Sequence, residues 1–338
     1  MIHVLLLIVC VVAIYLSCEW FVNAVEWLGQ RLRIGAMAVG TVLAAIGTAL
    51  PESVVTLVAV TSGTTPERKD IGVGAALGGP LVLSTIAYGV TGIVIIATRR
   101  RLPADATAER PHQVGSTDEL RRLAKDQRWF LPIFIVKVGL GLVAFAFKPI
   151  LGVAFFAAYA VYFWRELRSS DDGHRAELEP LKFQPHAEHP STWVIVVQSL
   201  LTVVVIFAAS QFFVQQLDAI GPMLGLPAAV TAVLLSPIAT ELPETLNAII
   251  WVRQGKTSLA LANISGSMMI QATIPSGLGI LFTPWMLSPA LLWSGAITAV
   301  AIIYLLTMMH LRRLTALRLA VVAILYAVFA AGLWYILA

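Results

Sequence analysis

Apolar runs long enough to cross a bilayer recur along the whole chain, separated by short polar stretches. A helix needs about twenty such residues to span the hydrocarbon layer. The pattern predicts ten spans, at about 3–25, 36–62, 71–98, 129–147, 149–165, 192–216, 227–252, 257–282, 289–309 and 317–336. The first (MIHVLLLIVCVVAIYLSCEWFV) has too long an apolar run for a cleaved signal peptide and lacks a basic leader, so it reads as a retained span. Two polar segments interrupt the ladder. Residues 99–128 are charged and carry a helix-start signal at Ser116-Thr117-Asp118-Glu119, read as a short surface helix. Residues 166–191 form a central linker with His174, His186 and His189, whose spacing fits a solvated loop better than a compact metal site.

Lysine and arginine test the ladder. Loops after the odd-numbered spans hold nineteen of them, the opposite side only Arg68, Lys69 and Lys148, and Lys137 falls within a span. The imbalance makes the odd loops cytoplasmic and puts both termini outside, in a multi-pass protein of the plasma (inner) membrane. Lys137, near the cytoplasmic end of the fourth span, is expected to snorkel to the interface.

Composition agrees. Of 338 residues 58% are hydrophobic and 12% charged, with a mean hydropathy of +0.84. A soluble domain cannot cover so much apolar surface. The pI near 9.2 does not point to nucleic acid, because the basic residues lie in the short loops. Cys10 and Cys18 lie about 12 Å apart along one helix by helical rise and cannot bridge each other within it.

The chain also repeats itself. Residues 20–65 and 212–257 align without a gap at an offset of 192, and the match resumes at an offset of 188 through Gly78/Gly266, Thr85/Thr273, Ile86/Ile274 and Gly89/Gly277. At the centre stand GTALPE, Gly47 to Glu52, and ATELPE, Ala239 to Glu244. Five spans per half insert the second copy upside down relative to the first. The expected fold is therefore all-α and polytopic, about ten transmembrane helices in two inverted-topology five-helix repeats with discontinuous core helices. The first repeat covers 1–165 with its core at 36–95, the linker 166–191, and the second repeat 192–338 with its core at 227–282.

The two motifs place a carboxylate directly after a proline, deep in an apolar span. Proline removes a donor and displaces the carbonyl four residues earlier, so Pro51 frees that of Gly47 and Pro243 that of Ala239, with a second break at Pro237. Such carbonyls are tolerated at membrane depth only inside protein or along a polar cavity. Thr48 and Thr240 share a helix face with Glu52 and Glu244. Asn263, Ser267 and Gln271 make an i, i+4, i+8 polar stripe through the eighth span. The donors are all hard oxygens, which suits Ca²⁺, Na⁺ or Mg²⁺ over zinc or copper.

GTALPE and ATELPE, each followed by a glycine- or serine-rich span (GVGAALGGP, ALANISGSM), resemble the inverted repeats of sodium/calcium exchangers of the cation/calcium exchanger superfamily. The resemblance implies alternating access, with Ca²⁺ and Na⁺ competing for one central site. By motif position it assigns Thr48, Glu52, Thr240, Glu244 and Ser267 as metal ligands. Ala49 and Glu241 stand where the family has serine, and Gly79, Leu83 and Gln271 stand where it has a serine, an acid or amide, and often a carboxylate. Glu241 is a candidate for restoring charge, though on a helix it points about 60° from Glu244, and Gln271 supplies an amide. The lost donors put several simultaneous Na⁺ sites in question, so a Ca²⁺ (or other cation)/H⁺ exchanger on the same fold is the alternative. An intramembrane enzyme is disfavoured, since the spans contain no HExxH. No cofactor is expected beyond the transported ions Ca²⁺, Na⁺ or H⁺, and the lipid bilayer is the expected environment.

Overall fold

The computed structural model describes residues 2–62, 66–98, 114–168, 178–223, 234 and 236–337. These are helical throughout, with one isolated bridge between Leu181 and Gln184. In chain order the helices are α1 (Ile2–Leu32), α2 (Ala36–Ala38), α3 (Ala45–Ser62), α4 (Pro66–Val82), α5 (Tyr88–Thr98), α6 (Thr117–Leu140), α7 (Leu151–Arg168) and α8 (Thr192–Met223). The remainder are α9 (Ser236–Thr240), α10 (Leu242–Arg253), α11 (Thr257–Phe282), α12 (Pro289–His310), α13 (Ala316–Val321) and α14 (Ile324–Leu337). A π-helical stretch at Val39–Ala44 joins α2 to α3, and another at Leu83–Ala87 joins α4 to α5.

Seven helical stretches among the described residues are long and apolar enough to cross a membrane: Ile2–Leu32, Gly72–Thr98, Lys148–Arg168, Thr192–Phe213, Thr257–Phe282, Pro289–His310 and Ala316–Ile336. Each coincides with an expected span. The expected span at 36–62 is helical too, through α2, the π-helical stretch and α3. The one at 227–252 begins outside the described residues and continues as two short helices, α9 and α10. Of the one at 129–147, residues 129–140 finish a helix that starts at Thr117, and 141–147 are turn and coil. The start of that helix is the predicted signal: the Ser116 hydroxyl accepts from the Glu119 amide at 3.3 Å while the Glu119 carboxylate accepts from the Ser116 amide at 2.6 Å, a reciprocal cap. No separate surface helix forms; α6 runs on through Pro132 to Leu140.

Burial sorts the helices. In the most apolar part of α11, 83% of residues are buried, against 17% in α1. α11 is the central post, and α1 and α8 lie side by side at the periphery with leucines and valines turned outward. Two glycines let the halves cross closely. A Cβ on Gly40 would lie 2.9 Å from the Leu259 carbonyl, and one on Gly266 would fall 2.6 Å from the Thr41 carbonyl carbon. The π-helical stretch before α3 therefore presses directly on α11, with no room for a methyl group.

The described part of the linker, 178–191, is a loop with His186 and His189 exposed, fastened along one side. It straps α1 to α8: the Asn23 amide donates to the carbonyls of Glu179 and Pro180, Trp27 Nε1 donates to Glu179 O at 2.9 Å, and Gln198 Nε2 donates to Trp20 O at 2.9 Å. Gln198 Oε1 accepts from the Phe183 amide. His174 lies outside the described residues. At the same end, Lys256 Nζ meets both oxygens of the buried Glu26 at 2.5 and 2.6 Å, and Trp251 Nε1 donates to Glu26 Oε1 at 2.8 Å, tying α1 to α10 and the start of α11.

Candidate functional site

The two proline motifs fold differently. α3 runs unbroken through Pro51, and the irregularity lies about two turns earlier, in the π-helical stretch. The expected discontinuity of that copy is thus a widened turn. In the second copy the chain does break: α9 ends at Thr240, Glu241 takes φ −90° and ψ 7°, and α10 begins at Leu242 with Pro243 in its first turn. Proline costs least there, because first-turn amides have no intrahelical acceptor. Thr48 Oγ1 bonds back to Ala44 O at 3.2 Å and Thr240 Oγ1 to Pro237 O at 3.3 Å, the usual resting contacts of helical threonines.

The break decides where Glu241 points. On a continuous helix it would diverge from Glu244. At the turn it reaches α11, where Gln271 Nε2 donates to Glu241 Oε1 at 2.5 Å. Both glutamates are 1% exposed. Gly79 completes the arrangement, since a Cβ there would collide with Gln271 Oε1 and lie 2.7 Å from Glu241 Oε1. The side chain missing at Gly79 is the space that Glu241 and Gln271 occupy.

Around this pair the polar stripe of α11 faces α10. Asn263 Nδ2 approaches Glu244 O at 3.5 Å, and Asn263, Ser267 and Gln271 are at most 2% exposed. Asn263 Oδ1, Ser267 Oγ and Gln271 Oε1 are buried without a hydrogen-bond partner among the described residues. Buried oxygens in that state are costly unless something else binds them. α3 packs along α11 through Ala45 and Ala49 against Ile270, which carries Thr48 to the same region. From the other side, Cys18 of α1 approaches Pro243 O at 3.7 Å, closing the cluster off. The side chain of Glu52 lies outside the described residues. The structure therefore joins Glu241 to Gln271 directly, sets the Glu244 backbone against Asn263, and buries Ser267 and Thr48 on neighbouring turns of α11 and α3. Thr240 sits at the break, partly buried.

Sequence reasoning passed over one residue and misplaced another. Asn247, one turn beyond Glu244, is fully buried with neither polar atom partnered among the described residues. The signal was an amide at i+3 from an intramembrane glutamate, on its own face. Lys137 contradicts the snorkelling expectation. It is 0% exposed, and its ammonium donates to Ala76 O at 2.7 Å and Ser276 Oγ at 3.2 Å, over the Phe134 ring. Oxygen acceptors inside the protein hold the amine, so the side chain turns inward.

The oxygen-lined, carboxylate-bearing interior has relatives. The chain is similar to the putative antiporter CaxA of Alkalimonas amylolytica, 24% identical over 307 residues that cover 88% of this chain and 86% of that protein. It is also similar to inner membrane protein YrbG of Escherichia coli (strain K12), 26% identical over 290 residues that cover 84% and 81%. Its fold matches that of the sodium-calcium exchanger NCX_Mj soaked with 10 mM Na⁺ and zero Ca²⁺, with a TM-score of 0.74 over 98% of both chains at 19% identity. NCX_Mj soaked with zero Na⁺ and Ca²⁺ gives 0.73 at 18% identity. The model of the sodium/calcium exchanger protein family matches residues 2–167 and 194–334, and the chain belongs to that family.

Proposed function

We propose that this chain is a secondary active cation antiporter that exchanges Ca²⁺ for Na⁺ by alternating access at one central site. In this reading ten spans form two inverted five-helix repeats, with both termini extracytoplasmic and the basic loops cytoplasmic. Its ligands are Glu52, Glu244, Thr48, Thr240 and Ser267, joined by Glu241 and Gln271. The observation that carries the reading is the cluster of buried oxygens around Glu244 and the Glu241–Gln271 pair, at a helix break inside an apolar interior. Packing alone has no use for two carboxylates there, and hard oxygens suit Ca²⁺ and Na⁺.

The mechanism follows from charge. An empty site leaves its carboxylates uncompensated in a low-dielectric interior, which resists closure. Either ion set neutralises them and lets the cavity close and reopen on the other side. That makes exchange faster than leak. Coupling to H⁺ is the second reading, favoured by the crowding at Gly79: Gln271 and Glu241 fill the space a further ligand would need, leaving fewer oxygens for Na⁺.

⁴⁵Ca²⁺ uptake into proteoliposomes tests both readings. An outward Na⁺ gradient is expected to drive uptake in the first, a pH gradient in the second, and Glu52→Gln or Glu244→Gln to abolish it. Full transport by both variants would overturn the proposal.

A further inference from the structure

The Lys137 amine has no surface exposure and donates to two oxygens inside the protein. Its two oxygen contacts are a backbone carbonyl and a serine hydroxyl, the donor types that a small monovalent cation takes from a protein. Both sit beside the candidate ion site. Ala76 lies three residues before Gly79 on α4, about 4.5 Å along the axis, and Ser276 five residues after Gln271 on α11, about 7.5 Å. Hydrogen bonds lead between them: Ser276 Oγ donates to Gln271 O at 3.1 Å, and Gln271 Nε2 donates to Glu241 Oε1. The position is held firmly, since Trp285 Nε1 donates to the Lys137 carbonyl at 2.9 Å.

A buried ammonium is stabilised by negative charge nearby, and these contacts lead from Lys137 through Ser276 and Gln271 to Glu241. Glu241 is the acid that the family pattern does not call for. The extra carboxylate and the extra ammonium are each explained by the other.

We propose that the ammonium of Lys137 is a tethered monovalent cation. It stands in for one Na⁺ or H⁺ that the site would otherwise have to bind, balances Glu241, and lowers by one the number of monovalent ions exchanged per Ca²⁺. The inference rests on the transport reading above, but one arm of its test does not require transport.

In that arm the purified protein is heated in NaCl and in choline chloride of equal ionic strength. Lys137→Met is expected to unfold several degrees lower in choline and to regain most of that loss in NaCl, a larger Na⁺-specific gain than in the native protein. Lys137→Arg is expected to behave as native. In the second arm the ratio of monovalent ions to Ca²⁺, read from the equilibrium ⁴⁵Ca²⁺ gradient, is expected to rise by one in Lys137→Met. It is expected to return to the native value in Lys137→Met/Glu241→Gln. A merely structural lysine lowers stability equally in both salts and leaves the ratio alone, and that result overturns the inference. Should Lys137→Met fail to fold in either salt, the double variant decides: folding without Na⁺ supports the charge pairing, and failure refutes it. Absence of any ion-driven uptake in the native protein would sink the transport reading, while the thermal arm would still judge Lys137.

Discussion

Gly266 offers a quantitative test of how the two halves meet. A methyl group there falls 2.6 Å from both Thr41 C and Thr41 Cα, and closer still to Thr41 O. Carbon atoms rest at about 3.5–4.0 Å, so Gly266→Ala must separate α11 from the π-helical stretch by about 1 Å. The obstacle is backbone and no rotamer change relieves it. Overpacking of this kind costs about 1–3 kcal/mol, partly offset by about 0.5–1 kcal/mol from alanine's better helix propensity. The net loss is about 1–2 kcal/mol, or a few degrees in Tm. The ion site is more sensitive than stability, because Ser267 is the next residue and Asn263 lies one turn away. Ligands need placement within about 0.5 Å, so transport is expected to fall at least tenfold. Gly74→Ala is the matched control: a Cβ on Gly74 meets nothing within 4 Å. The same substitution there is expected to leave transport unchanged and Tm level or slightly raised. Detergent-phase thermal unfolding and ⁴⁵Ca²⁺ uptake, run on both variants, check the argument. A Gly266→Ala protein as stable and active as its Gly74→Ala counterpart would refute the close crossing.

Two further outcomes follow from single contacts. Lys256→Met strands the buried Glu26 carboxylate, which keeps only Trp251, and is expected to lower stability by about 2–3 kcal/mol; Glu26→Gln/Lys256→Met should recover part of that, so a single variant with native Tm would contradict the pairing. Asn247→Leu replaces an amide unpartnered among the described residues with an apolar group of similar size, so Tm is expected to hold or rise. Its apparent Ca²⁺ affinity is expected to fall about tenfold, the loss of about 1.4 kcal/mol from one ligand, and unchanged affinity would remove Asn247 from the site.

Hydrophobic run length, read along the chain, was enough to place seven of the expected spans, because crossing a bilayer is a one-dimensional requirement that each segment meets alone. The Ser116 cap was legible for the same reason: its two hydrogen bonds join residues three apart. The Thr-x-Leu-Pro-Glu pair marked the candidate site, since a carboxylate beside a proline at membrane depth is expensive anywhere else. Where the chain breaks was not legible. The same Pro-Glu dipeptide leaves α3 continuous at Pro51 and follows a turn at Glu241 in the second copy. Glu241 faces Gln271 only because Gly79 leaves a gap on another helix, and Lys137 turns inward only because Ala76 and Ser276 offer it oxygens. Depth and period belong to the individual segment. The partners of a buried charge are decided by neighbours 60 to 140 residues away, which only the folded chain brings within hydrogen-bonding reach.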